Sequence, residues 1–240
     1  MGVFDKTRRA CWRIIADRYP EPIDRHAIIN EFLEQTAVQG SRILDAGCGH
    51  RSIIRDCVQA CRIGVDAVFE DVKRNDSIDF GICSNLEYLP FMDSSIDAVV
   101  TSMVFEHLRQ PDFVFAEFNR VLKKGGYMIF VTPNIFGIVT IVNRMIPNWL
   151  HPLIANTLTG APESDVFPTH YHANSVRRLR KLLRRNGFEE CELILHQPPP
   201  YAFVFSQTIC KLAIRYYHFI NRHERFRQLR GVIISRYRKV

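Results

Sequence analysis

Asp45-Ala46-Gly47-Cys48-Gly49 joins two residue types that a small-molecule site needs where a chain turns back on itself. The carboxylate supplies hydrogen-bond acceptors. The two glycines reach backbone angles closed to other residues and let a bound molecule lie against the main chain with no Cβ between them. Arg42-Ile43-Leu44 just before is mostly apolar, so the stretch reads as the end of a buried parallel strand passing sharply toward a helix. Asp66 ends a second apolar run, Cys61-Arg62-Ile63-Gly64-Val65, where an acidic side chain accepts from both hydroxyls of a ribose. A dinucleotide fingerprint requires a third glycine at position 52, and Ser52 stands there, which weakens a dehydrogenase reading.

Further along come Asn85-Leu86-Glu87-Tyr88-Leu89-Pro90-Phe91, then Thr101-Ser102-Met103-Val104-Phe105-Glu106-His107, then Leu122-Lys123-Lys124-Gly125-Gly126, and finally Thr132-Pro133-Asn134. In content and order these stretches resemble the class I S-adenosylmethionine-dependent methyltransferases, in particular the methyltransferase type 11-like group. The resemblance is close over 40–134 and loose elsewhere. It implies a doubly wound, mostly parallel seven-stranded α/β sheet, the Rossmann-like fold of that class, with S-adenosyl-L-methionine as cofactor. Asp45, Ala46, Gly47, Cys48 and Gly49 would hold its methionine part, Asp66 and Ala67 its ribose, and Asn85, Leu86 and Glu87 its adenine. Thr101, Ser102 and Val104 would line the methyl-transfer face. Three positions depart from the family pattern: Arg51 replaces a third glycine, Lys124 a proline before the double glycine, and Asn85 an aspartate. Asparagine still accepts from an exocyclic amine through its carbonyl oxygen, without the charge.

Methyl transfer from a sulfonium is an in-line displacement, so the protein chiefly aligns nucleophile, methyl and sulfur and excludes water. A hydroxyl nucleophile also gains from a base that titrates near neutrality. His170 and His172, with Tyr171 between them as a hydrogen-bond donor, are the leading candidates, and His107 is a third. The two histidines close an insertion, 135–173, which starts apolar at 135–142, carries Pro147, Pro152 and Pro162, and includes Asp165 and Val166. Loops at the carboxyl ends of parallel strands place substrate contacts, so this insertion is the expected specificity region.

The elements that must position these groups read as follows. Helices are expected over about 5–18 and after Pro22, as packing on the sheet or as a lid, and a short helix over 51–60 whose N-terminus faces the ligand. An abbreviated helix and a strand near 78–83 follow, then a fourth strand over 98–102. A helix ends at the Lys123–Gly126 stop, and a fifth strand covers 127–134. A basic helix begins near Asn174 and ends at Gly187, a sixth strand spans 188–195, and a seventh spans 201–205. One domain is expected over 1–240: lid 1–38, cofactor core 39–134, insertion 135–173, remainder of the sheet 174–207, and a basic amphipathic tail 208–240.

The chain has 240 residues, 47% of them apolar, with 32 Lys and Arg against 25 Asp and Glu, a net charge of +7. That balance permits contact with phosphates or anionic lipid and proves neither. Seven cysteines without a C-x-x-C pair suggest neither disulfides nor a zinc site, so no metal is expected. The charged N-terminal stretch does not read as a secretory signal, and the apolar run 201–220 is broken by Gln207, Lys211 and Arg215. The expectation is a cytoplasmic enzyme, with the tail as a peripheral contact to an anionic inner membrane face. It would methylate an oxygen of a small-molecule, glycan or lipid-linked intermediate. An RNA methyltransferase using the basic helix and the tail, or a non-catalytic cofactor-binding or partner-docking protein, are the alternatives, nucleic acid being the less favoured partner.

Overall fold

A computed structural model describes residues 3–21, 25–36, 38–145 and 167–240. Its contacts group the chain into two compact bodies, one of 25–132, 169–194 and 233–240, the other of 1–24, 133–168 and 195–232.

The first body holds a seven-stranded sheet. In chain order the strands are β1 (Arg42–Ala46), β2 (Cys61–Asp66), β3 (Phe80–Cys83), β4 (Ile96–Ser102), β5 (Leu122–Pro133), β6 (Phe188–His196) and β7 (Val232–Lys239). They lie in the order β3-β2-β1-β4-β5-β7-β6. β1 pairs in parallel with β2 on one side and with β4 on the other, and β2–β3 and β4–β5 are parallel as well. The chain therefore runs outward from β1 to β3 and then returns to the opposite side of β1. The carboxyl ends of β1 and β4 form the switch point at which such sheets open a crevice. Ile43, Leu44, Val65, Val99, Val100, Ile129 and Phe130 are closed to solvent, as expected of strands covered on both faces. Around Phe105, a T-shaped contact to Phe115 at 5.0 Å and a tilted one to Phe130 at 4.9 Å fill the space under the turn that follows β4.

The helices of this body are α2 (Arg25–Glu34), α3 (Phe69–Arg74), α4 (Pro111–Val121) and α6 (Val176–Arg185). The second body contains α1 (Val3–Arg18), α5 (Ile138–Met145) and α7 (Gln207–Arg222). α1 packs on α7, with Cys11, Ile15, Val204, Cys210 and Ile214 buried together.

Four sequence expectations change. Residues 51–60 form turns, not a helix. The Ser52 hydroxyl and the Ile53 amide both donate to Asp45, and the Ile54 amide donates to Ser52, so side chains take the donors that would start a helix. The double glycine does not cap α4. Leu122 is already extended, β5 begins there, and Gly125 at φ +77° sits where the register against β4 shifts between Ile96 and Ala98. Residues 201–205 are no strand: Pro198, Pro199 and Pro200 offer no amide to a ladder, and a 3₁₀ turn over Tyr201–Phe203 follows. The seventh strand is instead β7, taken from what reads as a basic tail. Its Val232, Ile233, Ile234, Ser235 and Tyr237 are buried between β5 and β6. Of the insertion, Pro147, Pro152, Pro162, Asp165 and Val166 lie outside the described residues. Among the described residues no helix is long and apolar enough to cross a membrane.

Candidate active site

The corner at the end of β1 is built from both neighbouring strands. Asp45 pairs in register with Gly64 of β2 and Val100 of β4 and is 2% exposed. Its Oδ2 accepts from Ser52 Oγ at 2.5 Å and from the Ile53 amide at 3.1 Å, so the carboxylate closes the loop that follows it. Burial, more than the neighbouring Asp66 charge, pushes this carboxyl up to about 6 against the pull of those two hydrogen bonds.

Gly47 at φ +82° and Gly49 at φ +52° turn the chain between them. The Gly47 amide donates to Val65 O at 2.8 Å, and that of Gly49 to Asp66 Oδ2 at 2.9 Å. Asp66 Oδ1 takes the Val68 amide at 3.0 Å, leaving a lone pair on each oxygen. Asn75 donates to Gly49 O at 2.9 Å and holds the loop from the far side. Gly64 is small for a related reason: a Cβ there would lie 2.8 Å from Cys48 Sγ and 2.7 Å from Ile78 Cδ1. Burial, with Asp45 and Asp66 nearby, pushes the Cys48 thiol up to about 12, so it stays protonated.

The remaining predicted residues are placed as follows. Ala46 is closed off in β1 and Ala67 is exposed beside Asp66. Asn85 is exposed at the end of the β3 exit loop, where its Oδ1 accepts the Glu87 amide at 3.0 Å and its carbonyl accepts that of Tyr88 at 3.0 Å. That side-chain-to-backbone turn fixes Leu86 and Glu87. Thr101 is fully buried in β4, whereas Ser102 and Val104 are partly open. Met103, between them, holds φ +59° with its amide on Val131 O. Arg51, one of the departures from the family pattern, is exposed.

The histidines gather on the turn after β4. Glu106 offers its backbone carbonyl to the amides of His170 at 2.7 Å and Tyr171 at 3.1 Å, which pins the end of the insertion against Phe105–His107. Glu106 is itself 4% exposed, and its carboxyl, hydrogen-bonded to Thr132, is pushed by burial up to about 7. His107 Nε2 lies 4.0 Å from Glu106 Oε1. The His170 and His172 rings are 5.7 Å apart. His172 Nδ1 lies 2.8 Å from the Arg109 carbonyl. A carbonyl only accepts, so Nδ1 carries the hydrogen and Nε2 is the nitrogen with a free lone pair in the neutral ring. Sequence reasoning passed over Ser52, Asn75, Glu106 and Arg109 as site components. Ser52 was detectable as the residue in place of a third glycine. Asn75 was not, since its contact spans a crossover with no local pattern. Among the described residues no group of three His, Cys, Asp or Glu side chains is placed to hold a metal ion.

A doubly wound sheet with a glycine corner and a second acid at its switch point is the architecture of a nucleotide-type cofactor enzyme. Residues 44–130 match the family described as methyltransferase domain. An uncharacterized protein of Methanocaldococcus jannaschii is 23% identical over 198 residues, 79% of this chain and 77% of that protein. The demethylmenaquinone methyltransferase of Renibacterium salmoninarum is 31% identical over 153 residues, 59% of this chain and 61% of that one. The geranyl diphosphate C-methyltransferase of Streptomyces coelicolor, solved with S-adenosyl-L-homocysteine, superposes with a TM-score of 0.56 at 16% identity, over 89% of this chain and 76% of that one. The last likeness bears on the fold alone. Together they show a methyltransferase domain over residues 44–130, on a fold shared with solved S-adenosylmethionine-dependent methyltransferases.

The two glycines differ in a way that can be measured. A Cβ at position 47 would lie 2.4 Å from Val104 Cγ2, whereas at position 49 it would meet nothing within 4 Å. Both substitutions carry the left-handed backbone cost of about 1–2 kcal/mol. Gly47→Ala is therefore expected to lower thermal stability and cofactor affinity much more than Gly49→Ala, as read by melting and by titration with S-adenosylhomocysteine. Equal effects at the two positions would contradict this account of the corner.

Proposed function

We propose that the protein transfers the methyl group of S-adenosylmethionine to an oxygen of a small-molecule biosynthetic intermediate. The observation that carries this is the corner itself, where Asp66 clamps the Gly49 amide at 2.9 Å while keeping a lone pair on each oxygen. In this reading Asp66 and Ala67 receive the ribose, Asp45 to Gly49 face the methionine part, and Asn85, Leu86 and Glu87 border the adenine. Asp45 acts mainly by closing the loop. Bound S-adenosylmethionine supplies an electrophilic methyl on a sulfonium. The chain's own residues orient it, shield it from water, and take the proton of the acceptor hydroxyl. His172 is the base of choice over His170 and His107, because the Arg109 carbonyl fixes its tautomer. RNA is the weaker acceptor reading: of the six cations on α6, Arg180 is paired with Glu190 and Arg185 with Asp112.

Tritiated S-adenosylmethionine, incubated with source-cell extract split into metabolites, lipids and RNA, tests this. Label is expected in the metabolite fraction, with fragmentation placing the methyl on oxygen. His172→Gln, which keeps a donor for the Arg109 carbonyl but cannot take the proton, is expected to slow transfer by ~10²–10⁴ with cofactor affinity unchanged. Label confined to RNA, or full rate in the variant, would refute the acceptor or the base respectively.

A second reading concerns location and rests on α7. Its buried residues, Cys210, Ile214, Tyr217 and Ile220, face inward. The outward side exposes Ile209 (40%), Leu212 (56%) and Phe219 (46%), flanked by Lys211, Arg215 and Arg222. Apolar anchors edged by cations suit the surface of an anionic bilayer. The chain is expected to sediment with phosphatidylglycerol vesicles at low salt and to be lost from them in Leu212→Glu. Sedimentation that the substitution leaves intact would rule this face out.

A further inference from the structure

A groove of about 440 Å³ opens between the start of α4 and α6, with Arg109, Asp112, Phe113, His172, Arg178 and Arg185 in its walls. That size suits a small molecule. Three arginines and one aspartate line it. Arg185 is committed to that carboxylate, with Nε 2.6 Å from Asp112 Oδ1 and Nη2 on Oδ2. Among the described residues Arg109 and Arg178 have no acidic partner. Two unpaired, exposed guanidinium groups in one concavity have no evident use in folding, since exposed cations gain little and like charges repel.

From these residues the geometry points to a binding site for the phosphate or diphosphate group of a small-molecule ligand, held by Arg109 and Arg178. A carboxylate is satisfied by one guanidinium fork, as Asp112 is by Arg185. Bridging two separate forks calls for the several oxygens of a phosphoryl group. Phe113 and Leu182 add an apolar border for the organic part. The site also sits beside the proposed base, because the Arg109 carbonyl that fixes His172 belongs to the same wall. The ligand is then the methyl acceptor, a phosphorylated hydroxyl compound whose anion is anchored while its hydroxyl reaches His172. That last step rests on the function proposed above; the anion site itself does not.

The test is calorimetric titration with inorganic pyrophosphate, beside a parallel titration with S-adenosylhomocysteine. Wild type is expected to bind pyrophosphate in the micromolar to low millimolar range, more weakly as salt rises. Arg109→Ala and Arg178→Ala should each weaken it by about tenfold or more. Arg184→Ala, on α6 but outside the groove, should change it less than about twofold. All variants should retain the wild-type melting profile and cofactor affinity. Absence of pyrophosphate binding up to about 10 mM, while the cofactor product binds, would overturn the groove and leave the methyltransferase reading standing. Equal loss in Arg184→Ala, or an RNA oligonucleotide binding where pyrophosphate does not, would also overturn it and assign the cations to a diffuse polyanion surface. Pyrophosphate binding without cofactor binding would uphold the groove and sink the function proposed above.

Discussion

The hydrogen bond from the Gly49 amide to Asp66 ties the ends of two adjacent parallel strands into one corner, and the other site features depend on that tie. It holds only if the chain leaves β1 through two left-handed residues, which is why positions 47 and 49 are glycine. It also requires β2 to approach closely enough for Cys48 to pack over Gly64, where any larger residue collides. Asp45 works from below. Its carboxyl, pushed up to about 6 by burial, gathers Ser52 and Ile53 and replaces a helix start with a tight turn. The corner thus consists of two acids with separate duties, one buried and structural, the other half-open with acceptor capacity to spare.

The opposite side of the crevice follows the same logic at the end of β4. Phe105 is anchored in the aromatic core, so the short turn it begins is fixed, and the Glu106 carbonyl can pin His170 and Tyr171. The end of a long insertion is thereby returned to the strand ends, where open α/β sheets place acceptor chemistry. The Arg109 carbonyl then selects the tautomer of His172. The glycine corner and the histidine cluster are both consequences of strands β1 and β4 being neighbours in space with β2 and β3 between them in sequence.

Where the sequence was legible, the signal was local. Apolar runs ending in Asp45 and Asp66, the glycine pair, and the stretch from Asn85 to Phe91 each carry their own pattern, and the order of those patterns fixed the sheet class. What was not legible depended on distant partners. Nothing near 51–60 announces that Asp45 will take the donors a helix needs. Gly125 and Gly126 look like a helix stop because a bulge against β4 is a property of two strands, not one. β7 was hidden by its arginines: Val232-Ile233-Ile234 is a β-branched run, yet the charge around it suggested a surface helix. Its cations find places at the sheet margins, with Lys239 on the carbonyls of Asn119 and Leu122 and Arg236 stacked over Phe32. Asn75 and Arg109 lacked any local pattern, because their partners, the Gly49 carbonyl for the Asn75 side chain and the His172 ring for the Arg109 carbonyl, lie far away in sequence.

The most direct test of the central claim is calorimetric titration of the wild type and Asp66→Ala with S-adenosylmethionine, with circular dichroism to show that both are folded. The account predicts micromolar binding by the wild type and a loss of more than about 1.4 kcal/mol, a factor of ten, in the variant. Equal affinity in the two proteins, or no binding by a folded wild type, would contradict it.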